Sequence, residues 1–255
     1  MLLELAGVTK TFAGLTALAE VDFELPQGTT MGIIGPNGAG KTTLFNAVTG
    51  VYPPNAGRIV FEGRDITNLA AEKRALLGIS RTFQHPRLFK SLTILENVML
   101  GRHGRSRAEF LASGFRLPWA RREEHELRAR ALDYLEQVGL ADERDRLASE
   151  LPLGQQRYLE VARALASEPR LLLLDEPTAG LNDTETEAFR TMVLRIRDGG
   201  VTLLVIEHHM RFIMSLCDEI VVLNFGRLIE SGTPDKVQRS EAVIEAYLGR
   251  DDDDA

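Results

Sequence analysis

A chain of 255 residues, 26% charged and 44% hydrophobic, has an ordinary globular composition and can bury one large core with a subdomain inserted in it. Its formal net charge of −7 argues against nucleic acid as the main partner. One cysteine, Cys217, rules out an internal disulfide and fits a reducing compartment; its apolar setting, Phe212 to Leu216, predicts packing rather than reactivity.

The start, Met1-Leu2-Leu3-Glu4-Leu5, lacks a basic segment and a long apolar core, so no signal peptide is expected. Residues 2–8, 18–25 and 58–63 read as short strands, with turn signals at Gly14, Pro26-Gln27-Gly28 and Pro53-Pro54-Asn55. Residues 29–34 form a buried strand that runs into a glycine-rich loop. From about 86 to 150 the chain turns helical and charged. Arginine is dense there (Arg102, Arg105, Arg107, Arg116, Arg121, Arg122), which predicts a solvated face or a protein-docking surface. Leu127, Ala131, Tyr134, Leu135 and Val138 mark an amphipathic helix that ends at Gly139. Tyr158, Val161, Ala162 and Leu165 mark a second, spanning 155–167 and stopping before Pro169. Leu171 to Leu174 reads as a strand buried on both faces. A helix carrying Phe189, Met192, Val193 and Ile196 ends at Gly199-Gly200, and Val201 to Ile206 is again a buried strand. A helix over 209–217 and a strand pair over 219–230, turning at Asn224-Phe225-Gly226, follow. The Asp251 to Asp254 run predicts a disordered tail. No run approaches the ~20 apolar residues needed to span a bilayer, so a membrane role would run through a partner. The sum is an α/β fold: a parallel-sheet core, an N-terminal antiparallel β subdomain and an inserted helical subdomain. The expected division is 1–85 with 155–230 for the core and β subdomain, 86–154 for the helical subdomain, and 231–255 for a C-terminal helix and acidic tail.

The chemistry begins at Gly35-Pro36-Asn37-Gly38-Ala39-Gly40-Lys41-Thr42-Thr43. This is the GxxxxGK[ST] loop between a strand and a helix. Gly35, Gly38 and Gly40 let the backbone curl so that successive N–H groups converge on an anion, and the helix starting near Lys41 adds its positive end. Lys41 can reach the β- and γ-phosphates and Thr42 can ligate Mg²⁺. The ligands implied are a nucleoside triphosphate and Mg²⁺. The apolar strand at 171–174 then runs into Asp175-Glu176. In a phosphate-loop NTPase that Asp is an outer Mg²⁺ ligand and the adjacent Glu polarises the attacking water.

The order of these motifs resembles the ATP-binding subunits of ABC transporters along nearly the whole chain. The phosphate loop is followed by a glutamine loop, Arg81-Thr82-Phe83-Gln84, a signature at 151–155, Asp175-Glu176, and a histidine after the next apolar strand. The resemblance implies ATP and Mg²⁺ as ligands. It implies that Gln84 touches the metal or the lytic water and senses the membrane subunit, that Phe12 stacks on adenine, and that His208 contacts the γ-phosphate. His209 is a neighbour that spacing barely separates from it. Lys41, Gln84, Glu176 and His208 would form the catalytic set, and Thr42, Gln84 and Asp175 the metal set. Ala179-Gly180-Leu181-Asn182 matches the loop that crosses to the other subunit. The signature departs from Leu-Ser-Gly-Gly-Gln: here it is Leu151-Pro152-Leu153-Gly154-Gln155, with no serine hydroxyl and, at Pro152, no backbone N–H. Leu151, Gly154 and Gln155 are then the residues expected to act in trans, through backbone amides at a helix start.

Within that family, Ser80 to Phe89, Thr93 to Val98, Gly154-Gln155-Gln156-Arg157, Ile206-Glu207-His208 and the ending Ala246-Tyr247-Leu248-Gly249 resemble the branched-chain amino acid importers. Related urea, amide and aromatic-acid importers share much of the pattern. The implied partners are a second copy or a homologous ATPase subunit, two integral membrane permease subunits and, indirectly, an extracytoplasmic substrate-binding protein, with no nucleic acid. The implied place is the cytoplasmic face of the inner or plasma membrane. Three rivals stand beside this reading. A soluble ABC-type protein of repair or translation usually carries two cassettes or long insertions. A non-hydrolysing regulator would not need Glu176. A lipopolysaccharide exporter ATPase keeps the signature serine.

Overall fold

The computed structural model describes residues 1–84, 86–102 and 118–248, with the backbone alone at 118–123 and 248. His85, Arg105, Arg107, Arg116, Gly249 and the Asp251–Asp254 run lie outside the described residues, as do the side chains of Arg121 and Arg122. Two sheets carry the fold. The first is antiparallel and four-stranded, in the order β2 (Leu15–Leu25), β1 (Leu3–Phe12), β4 (Ala56–Phe61), β5 (Arg64–Asp65). The second runs β10 (Arg227–Gly232), β9 (Glu219–Asn224), β3 (Thr30–Ile34), β8 (Thr202–Ile206), β7 (Leu171–Asp175), β6 (Ile79–Arg81). It is parallel except for the edge hairpin of β9 and β10.

The central strands are apolar on both faces because both faces are covered. Alternation divides them: Leu172, Leu174, Leu203 and Val205 face one core cluster, while Leu171, Leu173, Leu204 and Ile206 face the other. The first cluster joins the sheet to α3 (Ile94–Gly101), α4 (Pro118–Gln137), α5 (Leu153–Leu165), α6 (Asp183–Asp198) and α7 (Met210–Leu216). The second lies under the antiparallel sheet and holds α1 (Lys41–Thr49) through Leu44, Phe45, Ala47 and Val48. Cys217 is buried in the first cluster, as its surroundings predict, and burial pushes its thiol up. Of the arginine-dense stretch, Arg102 is described, and it pairs with Glu168 at 2.5 Å.

Three boundaries differ from the sequence reading. β1 and β2 meet in a hairpin at Ala13-Gly14, both with positive φ (44° and 89°), so β1 runs to Phe12 and β2 begins at Leu15. Register shifts within β1 break the strict alternation that would have marked its full length. Short elements at α2 (Ala71–Leu76), β6 and α8 (Pro234–Gln238) are too brief to show a period. Helix α5 starts at Leu153 because Pro152, extended at φ −54° and ψ 153°, is its N-cap.

Arg74 ties the second cluster together. It is 1% exposed, and its guanidinium donates to the carbonyls of Ala47 (2.6 Å) and Val48 (2.8 Å) at the end of α1, and to Leu69 (2.9 Å) and Thr67 (2.9 Å). It therefore supplies a donor to the Val48 carbonyl and a second one to that of Ala47, which also takes the Gly50 amide, at the end of the phosphate-loop helix. Arg74→Met should lower unfolding free energy by about 3 kcal/mol, measured by urea denaturation, because buried carbonyls lose their donor. A loss under about 1 kcal/mol would mean that water replaces it freely.

Candidate active site

The parallel register brings four loops to one edge. β3, β8, β7 and β6 are neighbours, and each leaves the sheet there: β3 into the phosphate loop, β8 into Glu207-His208, β7 into Asp175-Glu176, β6 into Gln84. Ligand sites of open α/β sheets form at this carboxyl edge.

The loop is seated by two glycines. A Cβ on Gly35 would lie 2.1 Å from the Leu223 carbonyl oxygen, and one on Gly40 would lie 2.5 Å from that of Ala17. Gly38, at φ +80°, has open space where its Cβ would be. Gly226 N–H also donates to the Ala39 carbonyl at 3.0 Å, docking the β9–β10 hairpin on the loop. Lys41 curls inside it and donates to the carbonyls of Gly35 (2.6 Å) and Pro36 (2.9 Å). Burial lowers the Lys41 pKa, and the Glu176 carboxylate pulls it back up. Thr42 and Asn37 are exposed, and Thr43 is half-buried.

Asp175 closes β7 and is buried. Its Oδ2 accepts from Arg81 at 2.7 Å. Glu176 sits in the left-handed region at φ +46°, a conformation that costs free energy in a non-glycine residue. Its amide donates to the Ile206 carbonyl at 2.9 Å, which holds that turn in place. One Glu176 oxygen accepts from Gln84 Nε2 at 2.7 Å, and the other lies 3.0 Å from His208 Nε2. The structure thus brings Gln84, Glu176 and His208 into direct contact. His209 is excluded from this cluster: its backbone caps α7, with its carbonyl accepting from Phe212 and Ile213.

Three positions went unread in the sequence. Glu207, 4% exposed, accepts from Thr178 N–H at 2.8 Å and from the amides of His208 (2.7 Å) and His209 (3.0 Å), and also takes the Thr178 hydroxyl. It fastens the loop after Glu176 to the loop that carries His208. Arg157, on α5, donates to the carbonyls of Phe83 and Ala179, both at 3.3 Å, joining the glutamine loop to the 179–182 loop. Arg81 pairs with Asp175.

Phe12 ends β1, 38% exposed, edge-on to Tyr52 at 5.5 Å, with the Lys10 ammonium 5.1 Å from its ring centre. Leu151 is buried while Leu153 is 53% exposed. No side chain caps α5, so the first-turn amides at Leu153, Gly154 and Gln155 have no helical acceptor. The signature and the 179–182 loop lie together: Cβ positions on Gly180 and Gly154 would fall 3.3 Å from Leu153 and Leu181 respectively. Asn182 also caps α6 in a reciprocal box with Glu185.

Among the described residues no cluster of three His, Cys, Asp or Glu could hold a metal by itself. The donor set of a hydroxyl at Thr42, a carboxylate at Asp175 and an amide at Gln84 is all oxygen. It suits a hard divalent ion that takes its remaining ligands from phosphates. Asp175 already accepts one cation, the Arg81 guanidinium, on its Oδ2.

Comparison with known proteins gives the chain relatives along nearly its whole length. The family model described as "ABC transporter" matches residues 18–179, and one described as "Branched-chain amino acid ATP-binding cassette transporter" matches 227–253. The high-affinity branched-chain amino acid transport ATP-binding protein BraF of Pseudomonas aeruginosa is 43% identical over 249 residues, covering 97% of this chain and 98% of its own. The ADP conformation of an ATP-binding cassette of an ABC transporter superposes with a TM-score of 0.85 at 34% identity, covering 97% of this chain and 98% of that one. A cassette solved as a dimer after hydrolysis, bound to ADP and Pi, gives 0.77 at 26% identity, covering 91% and 98%.

Glu207→Gln replaces one acceptor oxygen by a donor facing N–H groups. It should cost about 2 kcal/mol of stability and speed amide exchange at Thr178, His208 and His209 in hydrogen-exchange mass spectrometry. Unchanged protection there would remove the fastening role.

Proposed function

The chain belongs to the ABC transporter family of ATP-hydrolysing subunits, and on that premise we propose that it powers an importer of branched-chain amino acids. It would act as one of a pair of ATPase subunits, its own copy or a homologue, beneath two membrane permeases that receive cargo from an extracytoplasmic binding protein. No helix among the described residues is long and apolar enough to cross a membrane, which fits attachment through permeases at the cytoplasmic face. The cargo assignment is supported by the relatives' names and by the match over 227–253.

The observation that carries the catalytic reading is the grip of Gln84 and His208 on the two oxygens of Glu176. A carboxylate fixed in this way can orient a water for attack on the terminal phosphate. His208, 3.0 Å from one oxygen of Glu176, can turn from it to the transferred phosphoryl group. Lys41 exchanges loop carbonyls for β- and γ-phosphate oxygens, and the loop amides of Asn37 to Thr43 complete the anion cradle. Phe12 offers a ring for the adenine. Mg²⁺, held by Thr42, Asp175 and Gln84, would neutralise charge on the phosphates. The signature amides at Gly154 and Gln155, beside Leu151, would close on the triphosphate of the second subunit. ATP then favours the closed pair because it contacts both halves.

Two substitutions test the site. Lys41→Ala should weaken ATP binding by about tenfold or more, read by isothermal titration; wild-type affinity would sink the phosphate-loop assignment. Glu176→Gln should slow hydrolysis by about a hundredfold while ATP and Mg²⁺ hold a dimer on a sizing column. A monomer under those conditions would sink the proposed cycle. The cargo is tested by uptake of labelled leucine in cells that lack the coding region; undiminished uptake points to another substrate.

A further inference from the structure

The proposed metal carboxylate is already engaged. Arg81, at the end of β6, donates from one guanidinium nitrogen to Asp175 Oδ2 at 2.7 Å and from another to Asn46 Oδ1, on α1, at 2.6 Å. The side chains of Arg81 and Asp175 are 10% and 8% exposed. The guanidinium carbon lies 5.4 Å from the ring centre of Phe45 and 5.6 Å from that of Phe83. Two aromatic rings and an amide therefore hold the cation in place, and its Nε is buried without a partner. Arginine suits this role because its planar fork satisfies two acceptors while its faces stack on rings.

We propose that Arg81 is a positioning residue and a built-in counter-cation for Asp175, one that sets how tightly the site holds Mg²⁺ together with the nucleotide. The inference rests on Asp175 as the metal carboxylate. Arg81 takes one of its two oxygens and fixes the side chain, which leaves the other for a metal. The positive charge is shielded from water and cannot swing away, so it opposes a second cation on the same carboxylate. The metal-bound nucleotide is consequently held less tightly than a free carboxylate would hold it. A site that must release a metal-bound product in every cycle benefits from that weakening. Asn46 and Phe45 belong to the phosphate-loop helix, so the counter-cation is also tied to the nucleotide side of the site.

The test is the ratio of the ATP dissociation constant in EDTA to that in saturating Mg²⁺, from isothermal titration of the full chain. Arg81→Gln removes the charge and should raise this ratio by about fivefold or more. Arg81→Lys keeps the charge and should stay within about twofold of the wild type. Asn46→Asp leaves Arg81 in place, offsets its charge from the other side and should raise the ratio as well, which serves if Arg81→Gln does not fold. A ratio unchanged or reduced in the charge-removing variants would overturn the proposal. Absence of ATP binding to the wild type in either buffer would instead overturn the ATPase reading on which it rests.

Discussion

The structure depends on how closely the phosphate loop is pressed against its neighbours. Gly35 leaves no room for a Cβ beneath the Leu223 carbonyl, and Gly40 leaves none beside that of Ala17. The loop is thereby wedged between the parallel sheet, the β9–β10 hairpin and the antiparallel sheet, with Gly226 bonded to Ala39 from the hairpin side and to Ala19 from β2. A fixed loop fixes α1, and α1 is in turn held at its far end by Arg74. The anion-binding amides are therefore positioned by packing on three sides before any ligand arrives, so little ordering entropy remains to be lost on binding.

Three carboxylates crowd the same sheet edge, and each is stabilised differently. Asp175 is matched by a buried guanidinium. Glu207 has no cation bonded to it among the described residues and is solvated by amides and a hydroxyl, in the manner of a backbone anion nest. Glu176 is the least committed: its partners are a neutral amide and a histidine that is itself exposed. Asp175 and Glu207 are held by buried partners, whereas Glu176, in a strained backbone conformation, is held by two side chains that are themselves exposed.

The residues with a fixed order along the chain were legible from sequence, because their chemistry demands particular types at particular spacings: the phosphate loop, Asp175-Glu176, Gln84 and the histidine after β8. Long periodic elements such as α4 and α6 were legible for the same reason. What escaped was set by tertiary contact. Nothing local in Ile79-Ser80-Arg81 says that the arginine will meet Asp175, 94 positions away in sequence. Glu207 looked like a flanking residue of the histidine because its four donors come from two loops. The choice between His208 and His209 needed the three-dimensional result that the His208 ring is the one that reaches Glu176, at 3.0 Å. The brief α2 and α8 and the end of the bulged β1, beyond residue 8, escaped because periodicity needs length and regularity to be seen.

The atypical signature is best understood from this side as well. A serine at position 152 would add a hydroxyl at the start of α5; proline instead fixes an extended backbone there and leaves the amides after it unaltered. Leu153, more than half exposed, packs on Gly180 and so joins the signature to the 179–182 loop. Arg157, one turn further along α5, bonds that same loop and the glutamine loop. Signature and 179–182 loop are thus braced as one surface: Arg157 joins that loop to Phe83, and Glu207 ties the preceding Thr178 to His208. Proline at 152 leaves that bracing intact, because every one of these bonds is made by residues outside the position where the hydroxyl is missing.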